Sequence, residues 1–214
     1  MALCLFVLAW TSAVKGEDVN VRGPLHVSRE SLRAVLPQDT HLLLDPAFIE
    51  QVLDKLDGSP PDWATVHGDG HHDPGHDDRL FALNRERDAK REGKLARSWR
   101  ITFAWLGELS PYTPDAGGFP VALGPAFTST RWGIVRFKPE EVPGNLVVVV
   151  DARQREQVQR EIEQRRHVEI EVMMTGRLIP EESLVYDFSH DGEGRGLIMP
   201  FVRVERVDFC LREQ

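Results

Sequence analysis

VEIEVMMTGRLIP, residues 168–180, alternates with a period of two: Val168, Ile170, Val172 and Met174 fall on one face, Glu169, Glu171, Met173 and Thr175 on the other. This is the cleanest strand signal in the chain, and it sets the fold class as mainly β. Its expected neighbour is MPFVRVERVDFCL, residues 199–211. There Val202 and Val204 share one phase, while Val207, Phe209 and Leu211 share the other, so the alternation slips at Glu205 and Arg206. A slip of one residue is what a β-bulge produces, and bulges turn barrel corners. The apolar face of the first strand should then meet Val202, Val204, Val207 and Phe209 in a core. Glu169 and Glu171 belong to the wet face, and burial of that face would count against a barrel.

Upstream, residues 99–105 place Trp99, Ile101, Phe103 and Trp105 on one side of another long strand. A Pro/Gly loop at 110–118 follows, then strand candidates at 119–124, 131–137 and 145–151. Asp151 caps a helix over 152–166, with Gln154 as capping-box partner and a thin apolar stripe of Ala152, Val158 and Ile162. A short strand at 184–188 and a glycine-rich loop separate the two closing strands. Three strands, a helix and a final pair is the element order of the OB-fold, and residues 97–212 resemble it in that order and in the bulge. The sequence offers one strand candidate more than the order needs, so a generic small barrel or sandwich with one helix is the alternative. The resemblance implies ligand contacts from the loops 110–118 and 180–200, which carry Tyr112, Tyr186, Phe188, His190 and Asp191.

Before the barrel, residues 17–63 read as a helical N-terminal extension. Ser28 caps a short helix, and DPAFIEQVLDKLDG, residues 45–58, is a stronger one with Pro46 at its first position and Gly58 at its end. Phe48, Val52 and Leu56 stack along it, widened by Ile49 and Leu53. Residues 64–78 form a His/Asp-rich loop in which His67, His71, His72 and His76 alternate with acids. Gly68, Gly70, Pro74 and Gly75 argue against a continuous helix there. Imidazole and carboxylate suit zinc, copper or nickel, although no cysteine contributes and no structural-zinc spacing is present. A charged helix over 79–97 follows, read as a solvated basic face with the acidic loop as its simplest partner.

With 34 acidic against 26 basic side chains the net charge is -8, which argues against a general nucleic-acid binder. A local anionic-ligand site over Arg85 to Arg100 stays open. Residues 2–10 are an apolar run followed by small residues, the pattern of a signal peptide ending at Ala13 or Gly16, although no basic residue precedes the run. The run is too short to span a bilayer. Cys4 would leave with the leader, so Cys210 reads as a small buried hydrophobe and not as half of a disulfide. Phosphate-loop, GxSxG, CxxC and HExxH motifs are missing from the sequence. The expectation is an exported, periplasmic or secreted, monomeric binding or accessory module of unknown ligand. Its rival is a metal-binding protein or metal-dependent hydrolase built on the four histidines.

Overall fold

A computed structural model of the protein describes residues 21–70, 73–164, 167–182, 184–189 and 195–212. The first elements in chain order are β1 (Arg22–His26), α1 (Arg29–Arg33), β2 (His41–Leu42), α2 (Pro46–Asp57), α3 (Trp63–His67) and α4 (His76–Arg91). They are followed by β3 (Arg100–Leu109), β4 (Phe119–Gly124), β5 (Thr128–Thr130), β6 (Gly133–Val135), β7 (Lys138–Pro139) and β8 (Val147–Val149). Helix α5 (Ala152–Glu163) then leads to β9 (Glu169–Leu178), β10 (Leu184–Phe188) and β11 (Gly196–Leu211).

Six strands close into a barrel in the order β1–β8–β4–β3–β9–β11, with β11 returning to β1. Set β1 aside and the rest is three strands, a helix and two strands, so the protein is an α+β, mainly β chain built on an OB-like barrel. β1 lies parallel to both β8 and β11 and fills the gap between them. It comes from the segment that the sequence presents as helical; RGPLH contains Gly23 and Pro24 and has no alternation to announce a strand. The strand candidate in excess is accounted for as well. Residues 131–137 supply β6, which leaves the barrel and joins a side sheet of β10, β11, β6 and β5. β11 spans both sheets, with Leu197 and Ile198 beside β6 and Val202 to Leu211 beside β9. The register along that second part shifts between Val204 and Arg206, the bulge expected from the slip in phase.

Inside the barrel lie Ile101, Phe103 and Trp105 of β3, Ile170, Val172 and Met174 of β9 and Phe209 of β11, all at 5% exposure or less. Each such side chain contributes roughly 1.5–3 kcal/mol through its burial. The outer face of β9 departs from its expected wetness. Glu169 is exposed, but Glu171 is only 6% exposed because α1 lies over it. Arg29 of that helix donates Nε to Glu171 Oε2 at 2.9 Å and NH2 to Oε1 at 2.6 Å. Leu32, Leu36, Met173 and Cys210 form a second small core at the same place. The barrel survives burial of this carboxylate because a paired charge under a helix adds an outer layer without disturbing the inner one. Arg29→Ala should destabilise the protein by about 1–2 kcal/mol in urea melts, less than for a fully buried pair because Arg29 keeps 36% side-chain exposure.

Helices α2, α3 and α4 pack against the side sheet. Trp63 donates Nε1 to the Trp132 carbonyl at 2.6 Å, and Arg131 grips Glu50 and Asp54 of α2. The outer edge of β10 is covered by one side chain. Asn84 Nδ2 donates to the Tyr186 carbonyl and its Oδ1 accepts from the Tyr186 N–H, both at 2.8 Å, so the amide stands in for a neighbouring strand.

Candidate functional site

The loops expected to bind ligand leave opposite ends of the β3–β9 ladder. Leu109 bonds to Val168 at one end, and Leu178 to Trp99 at the other. Tyr112 therefore does not meet Tyr186 or Phe188. Its ring packs edge-on against Phe119 with centroids 5.5 Å apart, lies 5.2 Å from the Arg155 guanidinium, and its N–H donates to Gln159. Tyr112 thus fastens α5 to the barrel mouth. Tyr186 and Phe188 are core residues, 1% and 4% exposed, and offer a ligand no surface. His190 and Asp191 lie outside the described residues.

Tyr186 instead belongs to a buried polar cluster into which α4 turns Arg87 and Arg91, while Arg85, Glu86, Asp88 and Lys90 stay on its solvated face. Arg91, 1% exposed, donates Nε and NH2 to the two oxygens of Asp57 at 2.5 and 2.7 Å. Its NH1 reaches the Leu184 carbonyl at 2.9 Å, and the Tyr186 hydroxyl donates to Asp57. Burial works against the Arg91 charge, but Asp57 outweighs it and keeps the guanidinium protonated. Arg87 donates NH1 to the carbonyls of Asp57 and Ser59, where it meets the negative end of α2. Arg97 bonds to the Pro180 carbonyl, and Arg100 pairs with Asp39 and Glu205. The cations expected for an anionic ligand over Arg85 to Arg100 are largely spent inside the protein.

The His/Asp-rich stretch is shorter as a loop than its glycines suggest. His67 ends α3 and His76 begins α4, while Gly68 and Gly70 take positive φ values of 56° and 84° to turn the chain between them. Two of the four histidines come together: the rings of His67 and His76 are 5.8 Å apart, and His76 stacks on Phe188 at 3.9 Å. His71 and His72 lie outside the described residues. Among the described residues no three metal-ligating side chains converge. Asp73 is tied to Arg79 at 2.7 Å and accepts from the Gly75 N–H, and these bonds, the Arg79 one first, hold its carboxyl down at about 2. A depressed carboxylate is lost as pH falls, so the clasp should open only as pH passes below about 2. The Asp73 titration followed by NMR should move back toward 3.8 in Arg79→Met.

One concave surface was not announced by the sequence. Helix α1, residues 37–45, α2 and Trp99 enclose a groove of about 1140 Å³. Leu32 and Leu36 line one wall, Phe48 and Val52 the other, with Leu42 and Leu44 between them and His41 stacked on Trp99 at 4.3 Å. Ile49, Val52, Leu53 and Leu56 turn to the core, so Phe48 is left 52% exposed on the groove's lip. The available signal was the width of the apolar stripe on residues 45–58, more than one buried face requires. No family model, curated protein or solved structure matches the chain. No helix among the described residues is long and apolar enough to cross a membrane.

Proposed function

We propose that the protein is an exported binding or accessory module, monomeric, whose OB-like barrel carries a ligand in the groove between α1 and α2. The observation that carries this reading is the groove's lining: apolar side chains from separate elements converge on one concavity together with polar and charged ones such as Gln38, Thr40, His41 and Gln51. Small-molecule sites have this make-up. Export rests on the apolar run at 2–10, and the mature chain should begin at Val14 or Glu17 when its N-terminus is measured by mass spectrometry. Native mass spectrometry of protein isolated from its own cells tests the groove. Wild type should carry a ligand mass that Phe48→Glu lacks; identical spectra would remove this reading.

One observation favours a second reading, metal capture by the histidine segment: His67 and His76 already lie side by side. Zinc or copper titration by calorimetry should then differ between wild type and a variant with His67, His71, His72 and His76 changed to Ala. Superimposable titrations would end the metal reading.

A further inference from the structure

We propose that the ligand of the groove is a single-chain amphiphile with an anionic head, a long-chain carboxylate; this rests on the reading of the groove as a binding site. The apolar bed comprises Leu36, Leu42, Leu44, Phe48, Val52 and Trp99, and the space above it is large enough for a folded or extended acyl chain. Gln38, Thr40, His41 and Gln51 line the same groove and leave these six side chains as its apolar part. The chemistry it matches is hydrocarbon.

The head group is argued from charge. Arg33 on the α1 wall and Lys55 on the α2 wall both line the groove, and neither is in an ion pair among the described residues. The third cation on the rim, Arg29, is engaged by Glu171. Two acids also line the groove: Glu30 is three residues before Arg33 on α1 and partly offsets its charge, whereas Asp45 stands far from Lys55. Asp45 stands at the start of α2 and Lys55 lies in its last turn. That is a separation of roughly 15 Å at 1.5 Å per residue, enough to leave the cationic end open to a carboxylate. In a protein of net charge -8, Lys55 and Arg33, in no ion pair among the described residues, give an anionic head its place, and the apolar part of the groove gives an acyl chain its bed.

The test is displacement of the fluorescent fatty acid cis-parinarate from the full chain. Palmitate should displace it saturably with one site per chain. Arg33→Gln combined with Lys55→Gln should weaken palmitate about tenfold, the scale of a lost charge-assisted hydrogen bond, and leave uncharged hexadecanol unchanged. Phe48→Glu, at an exposed position, should abolish displacement by both with the circular dichroism unchanged. The proposal is overturned if palmitate does not compete, if competition survives Phe48→Glu, or if the paired substitution affects palmitate and hexadecanol alike. It is also overturned if only vesicles of anionic phospholipid compete, since that would mean docking on a bilayer. A Phe48-dependent mass on the native protein without palmitate binding would overturn the carboxylate and keep the groove, so the two failures can be told apart.

Discussion

Asp57→Ala is expected to lower the unfolding free energy by about 3–5 kcal/mol in urea denaturation followed by tryptophan fluorescence. The substitution removes the carboxylate held by both Nε and NH2 of Arg91, and leaves that guanidinium 1% exposed with the Leu184 carbonyl and the solvent-facing Asp88. A buried charge whose partner is removed cannot be rehydrated without opening α4 from β10. The pair itself is a different quantity. Asp57→Leu together with Arg91→Met should recover most of the loss, because no charge is then stranded. A loss below 1 kcal/mol in Asp57→Ala would show that water reaches Arg91 and that the cluster does not hold α2, α4 and β10 together. Tyr186 adds a pH signature. Burial, then the Asp57 charge, push its hydroxyl far above the ordinary tyrosine range. Since the unfolded group ionises near 10, this contribution is complete below pH 10 and declines as pH rises beyond it. Tyr186→Phe should therefore flatten the alkaline limb of the stability profile.

Gly176→Ala should cost about 3 kcal/mol, at the upper end of what one added methyl imposes. A Cβ at Gly176 would stand 2.1 Å from the Arg203 carbonyl oxygen and 2.9 Å from a Val202 methyl. The first of these is backbone and cannot swing aside. Gly176 pairs with Val204, immediately before the register shift of β11, so the missing side chain and the bulge serve the same corner. The bulge bends β11 inward over β9, and the glycine leaves room for it. Gly144→Ala, where a Cβ meets nothing within 4 Å, is the control and should lie within about 0.5 kcal/mol of wild type. Equal melting curves for the two variants would show that the corner is loose.

The parts of this fold that were legible in the sequence are those whose signal is local. The alternation of β9, the phase slip of β11 and the Asp151 cap of α5 each depend on residues within a few positions of one another, and each is present. Strand β1 was hidden because its partners Val147 and Phe209 are far away in the chain, and a parallel strand needs no turn beside it. The same reason explains Glu171 and Arg91. Each looks like a solvated charge in its own segment, and only a distant residue, Arg29 or Asp57, turns it inward. The histidine segment was half legible: its glycines do turn the chain, but the docking of α3 and α4 on the side sheet brings His67 and His76 together. The groove could not have been read from any one segment, since α1 and α2 each give it only the part of an apolar stripe that the core leaves over.

The length of β11 bears on when this fold can form. β11 is the partner of β1, β6, β7, β9 and β10 at once. Before its residues are in place, among the described residues β9 has β3 alone, β1 has β8 alone, and β10 and β7 have no strand beside them. An incomplete chain therefore presents open edges and an uncovered core, and order should arrive in one late, cooperative step set by contacts of long sequence separation. Such a chain should stay unfolded for as long as its last strand is withheld.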